Sequence, residues 1–221
     1  MNFVNNDISL ITVMAMAAML PFVIAAGTCY LKFSIVFTLL RNGLGLQQVP
    51  STMVLNALAL MLAFYVMQPI VQSLYDAYLA LPAPPDSVAA VVAFLDGSLD
   101  GYKVYLATYS DPDLLHFFER ARQPDPQLMP ATMEPHERSL FALLPTYALS
   151  ELKDAFRIGF YLYLPFVVID LVVSSVLLSL GMMMMSPVTI SAPIKLIVFV
   201  AMDGWSLLSQ GLVRQYLDVP L

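Results

Sequence analysis

The sequence predicts an all-α, membrane-associated protein in which two long hydrophobic helical hairpins flank a mostly helical extramembrane insert. Of its residues, 59% are hydrophobic and only 12% charged, whereas about a quarter are charged in soluble domains. Residues 8–31, 42–75 and 171–194 contain no charged side chain, and each exceeds the roughly 20 apolar residues that cross a bilayer. No stretch alternates with a period of two, so no sheet is expected. The composition argues against a water-soluble monomer.

The first hairpin is predicted over residues 1–75. Its two charge-free stretches meet at Arg41–Pro50 (RNGLGLQQVP), where two glycines and a proline interrupt any helix. No basic residue precedes Lys32, so the chain lacks the basic start of a secretory signal peptide and its N-terminal segment is expected to be retained. Cys29 is the only cysteine, and we expect it to be a small buried side chain.

Residues 76–157 are predicted to form an acidic, mostly helical extramembrane insert. They hold twelve of the 16 acidic residues, six of the ten basic ones and nine of the 16 prolines, so the insert carries the whole net charge of -6. Asp111 and Pro112 predict a helix start, with an N-cap followed by proline at the first helical position. Ser150 predicts another start, for a helix that continues into the next hydrophobic stretch. The acidic balance argues against a nucleic-acid partner.

The second hairpin is predicted over residues 158–221. The charge-free stretch 171–194 covers the end of its first leg and the connection that follows, and its second leg is residues 196–213 (LIVFVAMDGWSLLSQGLV). The connection between the legs is placed at residues 181–193 (GMMMMSPVTISAP), which are interrupted by a glycine and two prolines.

The charges near the short connections predict an orientation. Arg41 and Lys195 lie at these connections without any acidic neighbour, whereas the long insert is acidic. Under the positive-inside rule the short connections face the cytoplasm, and the insert and both termini lie outside.

Asp170 and Asp203 are candidate intramembrane charges because apolar residues flank each of them. A carboxylate in hydrocarbon costs about 2.5–3.5 kcal/mol on insertion scales, so each should be paired, protonated or directed to a wet interior. An ion pair with Lys32 or Lys195, within the chain or between subunits, is the favoured interpretation. Lys195 lies about 12 Å from Asp203 along one helix, too far for contact, so their partners should lie on other segments or subunits. An intramembrane aspartyl protease is disfavoured because the flanks lack Gly-x-Gly-Asp.

No residue pattern predicts catalysis, a cofactor or a metal site. His116 and His136 are 20 residues apart in the insert, without the spacing of metal ligands. A phosphate-binding glycine loop, a nucleophile elbow and an HExxH motif are all absent from the sequence. The sequence therefore predicts a protein that is not an enzyme.

Four consecutive methionines, Met182–Met185, form the most unusual motif. On a helix consecutive side chains point about 100° apart, so the four could not share one partner. In a loop bounded by Gly181 and Pro187 they can converge, and methionine adapts to irregular shapes. Repeated around a ring of subunits, such a loop would form a soft apolar constriction. The alternative is an apolar hairpin tip that packs against its neighbours.

Residues 156–208 (FRIGFYLYLPFVVIDLVVSSVLLSLGMMMMSPVTISAPIKLIVFVAMDGWSLL) closely resemble the SctR/FliP family of type III secretion export-apparatus proteins. The segments LKFSIVFTLLRNGLG and QQVPSTMVLNALAL resemble the same family. The likeness covers most of the chain and is weakest between residues 82 and 145. The missing basic n-region favours the injectisome branch over the flagellar one.

This resemblance implies a non-enzymatic core subunit of the export gate in the bacterial inner membrane. It implies several copies, about five, arranged with SctS and SctT in a pseudo-helical ring that joins SctU, SctV and the inner-membrane ring. Met182–Met185 would form a gasket across the path of unfolded substrates. Lys32, Asp170, Lys195 and Asp203 would fix subunit packing. The acidic insert at residues 76–157 would be periplasmic. The assembled complex would lie largely on the periplasmic side, with helices buried against companion subunits rather than lipid.

Two other functions stay open at this point. One is a small-molecule or ion transporter whose path is lined by Asp170 and Asp203, although no inverted repeat with interrupted helices is evident. The other is a purely structural assembly subunit, with the conduit formed by other chains. A ring with the methionine loop directed at its axis would distinguish the export gate from both.

Overall fold

The computed structural model describes residues 14–15, 17–19, 21–81, 90, 94, 97–122, 138–182 and 184–217. Over these residues the chain consists of helices and turns without a strand, which confirms the all-α prediction. The helices are α1 (Ala17–Gly27), α2 (Tyr30–Gly43), α3 (Thr52–Leu79), α4 (Asp100–Thr108), α5 (Pro112–Arg122), α6 (Leu140–Ser179), α7 (Pro187–Ala201) and α8 (Gly204–Leu217).

The helices belong to two compact units. The first unit comprises residues 1–28, 67–151 and 221, and the second comprises residues 29–66 and 152–220. Helices α3 and α6 each contribute one part to either unit. The three-segment organisation expected from the sequence, with boundaries at residues 75 and 157, stays a prediction.

In the first unit the predicted start of α5 is confirmed. Asp111 Oδ1 accepts a hydrogen bond of 3.0 Å from the Asp113 amide, and Pro112 is the first helical residue. The helix start predicted at Ser150 is wrong, because α6 already begins at Leu140. The Ser150 hydroxyl instead donates to the Thr146 carbonyl one turn earlier and accepts from the Asp111 amide at 2.7 Å. A serine inside a helix can bond to the carbonyl four residues earlier without ending the helix.

The second unit is organised around α2 and α6, which run parallel. Lys32 near the start of α2 lies opposite Asp154, and Gly43 at its end packs against Phe166. Between them Gly159 faces Leu39 so closely that a Cβ at position 159 would collide with the leucine. The absence of a side chain at Gly159 therefore lets the two helices approach.

The connection between α2 and α3 lies where the sequence predicts it. Gly45 has a positive φ of 78°, which glycine adopts without strain. Arg41 Nη1 donates to the Pro50 carbonyl at 3.3 Å and to Thr52 Oγ1 at 3.0 Å. Ser34 also donates to Asn56 Oδ1 at 2.9 Å between the two helices.

Two predicted spans are not single helices. Within residues 8–31, α1 ends at Gly27 and α2 begins at Tyr30, and the start of this stretch lies outside the described residues. Cys29, at the break, is buried as predicted. Within residues 196–213, α7 ends at Ala201, and α8 continues after a bend of 62°. Hydropathy averages over such breaks, so it could not reveal them.

The loop between α6 and α7 is shorter than predicted. It spans residues 180–186 rather than 181–193, because Pro187 is the first residue of α7 and Pro193 lies inside that helix. Proline lacks an amide hydrogen, so it suits a first helical position.

Among the described residues, α3 and α6 are long and apolar enough to cross a membrane, and each bent pair of shorter helices could add one span. Only 11% of the most apolar window of α6 is buried within the chain. This largely uncovered apolar helix, together with α3, fits a membrane protein.

Candidate functional site

The methionine loop, residues Met182–Met185, begins at a well-defined helix end. At the end of α6 the Met182 amide donates to the Leu177 carbonyl at 3.0 Å and the Gly181 amide donates to the Leu178 carbonyl at 3.1 Å. Gly181 has a φ of 74°. This pair of hydrogen bonds around a left-handed glycine is the Schellman ending of a helix, and it directs the chain away from the α6 axis.

The other end of the methionine loop is equally abrupt. Ser186 is extended, with a ψ of 121°, and Pro187 starts α7. Met184 is fully exposed, and about two fifths of the Met182 and Met185 side chains are exposed. Met183 lies outside the described residues. The loop therefore presents at least three adaptable apolar side chains at the tip of the α6–α7 hairpin.

Behind the tip, a polar cluster joins three helices, and we call Asp170, Ser191, Lys195 and the Gly43 carbonyl the polar junction. Lys195 Nζ lies 2.6 Å from Asp170 Oδ2. It also donates to the Gly43 carbonyl at the end of α2, at 3.1 Å. Ser191 donates to the other carboxylate oxygen, Asp170 Oδ1, at 2.6 Å. Both oxygens of the carboxylate and the ammonium group thus have partners within one chain.

The polar junction is set in apolar surroundings. The side chain of Lys195 is 4% exposed and that of Asp170 34%. A core cluster that includes Leu40, Phe166 and Phe199 lies on the same three helices. A buried ion pair recovers its large desolvation cost only when its geometry is good and further hydrogen bonds satisfy both groups. Ser191 and the Gly43 carbonyl supply those bonds.

Lys32 forms a second buried contact in the same unit. Its ammonium lies 3.7 Å from Asp154 Oδ2 and 4.9 Å from the centre of the Tyr216 ring. The side chain is 3% exposed. A cation over an aromatic face is stabilised by the ring quadrupole. Lys32 therefore connects the start of α2 to both α6 and α8.

Asp203 is placed differently from Asp170. It lies in the exposed turn between α7 and α8, with a positive φ of 51°, and it accepts a hydrogen bond of 2.9 Å from the Ser206 hydroxyl. Aspartate tolerates this backbone conformation better than most residues. The next residue, Gly204, is buried, and a Cβ there would collide with Phe199. Of the four predicted charged residues, only Asp170 and Lys195 contact each other in the described chain.

Within the described residues no group of acidic, histidine or cysteine side chains is arranged to hold a metal. His116 is exposed and lies 4.0 Å from Glu119 on the same helix turn. His136 lies outside the described residues.

Sequence reasoning missed Ser191 and the Gly43 carbonyl. A signal for Ser191 existed: it is a small polar residue four positions before Lys195, so the two share one face of α7. No sequence signal indicates which carbonyl a buried lysine will meet 152 residues away.

Comparison with known proteins extends over nearly the whole chain. Residues 11–212 match the FliP family. The chain is 56% identical over 215 residues to the surface presentation of antigens protein SpaP of Shigella flexneri, with 97% of this chain and 99% of that protein covered.

More distant relatives show the same coverage. Identity is 42% over 212 residues to the Yop proteins translocation protein R of Yersinia pestis, covering 96% of this chain and 97% of that one. It is 39% over 217 residues to the hypersensitivity response secretion protein HrcR of Ralstonia nicotianae, covering 96% and 99%. The chain therefore belongs to the SctR/FliP family of type III secretion export-apparatus proteins.

Proposed function

We propose that this chain is a core subunit of the export gate, and that with companion subunits it forms the channel through which unfolded proteins cross the bacterial inner membrane. In this proposal Met182–Met185 form the seal of the channel. The observation that carries it is the exposed methionine loop, held between a Schellman helix end and a proline helix start. The names of two relatives, a translocation protein and a secretion protein, support the transport of proteins.

The chemistry of the loop suits a seal for a variable substrate. Methionine side chains are unbranched and polarizable, so they re-pack around irregular shapes. A ring of them would present an apolar constriction that disfavours ions, because an ion loses hydration without gaining a polar partner. It would still deform around an extended chain of any sequence.

The uncovered apolar surface supports assembly with other subunits. Large hydrophobic side chains along α6 are exposed in the single chain, among them Phe156, Phe160, Tyr161, Leu171 and Val172. Contiguous exposed apolar surface of this extent marks a protein or membrane contact. We assign this surface to contacts with further copies of this chain, about five in all, and with SctS and SctT. SctU, SctV and the inner-membrane ring would join the outside of that assembly. The assembled gate would lie largely on the periplasmic side, and no step in this chain is enzymatic.

The decisive experiment replaces all four methionines by alanine in the assembled complex. We expect normal yield of the complex and a higher ion conductance at rest, because alanine leaves the constriction wider. The matched control replaces exposed Met53 and Met61 of α3 by alanine. If the resting conductance of the loop variant in a planar bilayer is unchanged, the methionines do not form the seal.

Asp203 provides a separate test of assembly. As an exposed carboxylate in an apolar segment, it is proposed to contact another subunit. Asp203→Ala should lower the yield of complex on a native gel more than it lowers transport per assembled complex. A normal yield would leave Asp203 without this role.

A transporter that uses Asp170 in its path is less well supported. Both oxygens of Asp170 are engaged by Lys195 and Ser191 within the chain. A group that carries protons or ions must exchange partners, and this one is held by two bonds of 2.6 Å. Flux that depends on pH and is abolished by Asp170→Asn would favour the transporter instead.

A further inference from the structure

We infer that Asp170, Ser191 and Lys195 are positioning residues for the methionine loop. The inference rests on the proposed function, because it assigns the polar junction a task only if the loop has one. The polar junction connects the two legs of the α6–α7 hairpin to each other and to the end of α2. It thereby sets how far the loop projects.

The spacing along the two legs supports this role. Asp170 lies nine residues before Ser179, the end of α6, and Ser191 lies four residues after Pro187, the start of α7. At 1.5 Å per residue the polar junction is about 13 Å from the loop along α6 and about 6 Å along α7. A connection so close to the loop fixes the axial position of α6 relative to α7 more directly than contacts farther from the loop.

Apolar packing near the tip leaves that axial position weakly determined. Between the polar junction and the loop, Val173 and Leu177 are the hydrophobic side chains that are buried, among the residues that the structure describes. Dispersion contacts between apolar helix surfaces are non-directional, and a shift of one leg exchanges one such contact for another. A charged group with two directional hydrogen bonds has no equivalent alternative position, because a shift would leave a buried charge unpaired.

The Gly43 carbonyl connects the polar junction to a helix outside the α6–α7 hairpin. Lys195 donates to the carbonyl of Gly43, where α2 ends and the turn to α3 begins. A cation at a helix C-terminus is also favoured by the helix dipole. The position of the loop is thus fixed relative to α2 as well as to α6 and α7.

The test measures loop position and resting leak separately. Spin labels are placed at Met184→Cys and Val49→Cys, both exposed residues of the second unit, in a Cys29→Ala background. Pulsed electron spin resonance on the full chain in lipid nanodiscs gives the distribution of distances between the labels. The effects of Asp170→Asn and Lys195→Met are compared with Asp100→Asn, which removes the charge of an exposed carboxylate that pairs with Lys103 on α4.

We expect both junction variants to broaden the distance distribution and Asp100→Asn to leave it unchanged. In assembled complexes without spin labels, the same junction variants should raise the resting ion conductance several-fold at normal complex yield. A narrow distribution retained in Lys195→Arg would support a positioning role, since arginine keeps the positive charge and has several donors.

The possible failures are distinguishable. An unchanged distribution in both junction variants overturns the inference, whatever happens to complex yield. A broadened distribution with unchanged conductance supports the positioning of the loop and counts against the loop as the seal, which is the proposed function.

Discussion

Removal of one partner from the Lys195–Asp170 pair should have effects that depend strongly on which partner is removed. Asp170→Leu leaves the ammonium of Lys195, only 4% exposed, without its counter-ion and with the Gly43 carbonyl as its remaining partner in the polar junction. Lys195→Met leaves the carboxylate of Asp170, which is 34% exposed and keeps the hydrogen bond from Ser191. The stranded lysine should therefore be the more costly of the two.

The magnitudes follow from the burial of each group. Breaking a fully buried pair by removing one partner costs about 3–5 kcal/mol. We expect Asp170→Leu to fall in this range and Lys195→Met to cost about 1–2 kcal/mol. Each stranded group keeps one hydrogen bond, Lys195 to the Gly43 carbonyl and Asp170 from Ser191, but only Asp170 is partly exposed to water. The double variant should recover most of the loss, since replacement of a buried pair by apolar residues is often neutral.

The single tryptophan of the chain provides the assay. Trp205 packs against Phe37 and Phe199, with ring centres 6.0 and 5.6 Å away, so its fluorescence reports on the second unit. Unfolding in mixed micelles with increasing dodecyl sulfate gives the free energy for the parent, both single variants and the double variant. Equal costs for the two single variants, or a double variant as unstable as their sum, would refute the reasoning.

Further predictions concern packing, the helix interior and alkaline pH. Gly159→Ala should lower the unfolding free energy by about 1–3 kcal/mol through overpacking, whereas Gly211→Ala on α8, where no atom lies within 4 Å of the added Cβ, should be neutral or stabilising in the same unfolding assay. Ser150→Ala should cost about 1–3 kcal/mol and speed hydrogen exchange at the Asp111 amide, because that amide loses its acceptor; unchanged exchange would contradict it. Burial raises the pKa of Tyr102 above its usual range. Since the unfolded chain then ionises first, the free energy of unfolding should fall above about pH 10. Tyr102→Phe should lessen that fall. The absorbance of ionised tyrosine, recorded against pH, follows the unfolding.

The sequence could predict much of the architecture because its signals are local. Charge-free runs predicted the apolar helices, and the glycines and proline between Arg41 and Pro50 predicted the first connection. The Asp111-Pro112 helix start was likewise readable. Each of these depends on residues that are neighbours in the chain.

The errors have a common physical origin in contacts across the fold. Ser150 has the chemistry of an N-cap, but its hydroxyl bonds to the preceding turn and to an amide 39 residues away. Asp203 interrupts a hydrophobic stretch by adopting a left-handed backbone, which hydropathy does not detect. Asp170 could be named as a candidate from its apolar flanks and Lys195 as a possible partner, yet only the fold shows that Ser191 and the Gly43 carbonyl complete the group.

The reach of Lys195 to the end of α2 also has a consequence for biosynthesis. The carbonyl of Gly43 and the lysine that binds it are 152 residues apart. At a translation rate of about 5–20 residues per second, Gly43 is made roughly 8–30 s before Lys195. For most of that interval Lys32 also lacks Asp154, so a charged side chain of a nascent apolar segment must be tolerated without its final neighbour. The early chain should therefore depend on the insertion machinery or on a chaperone, and a ribosome stalled before residue 154 should expose Lys32 to chemical labelling that the finished protein excludes.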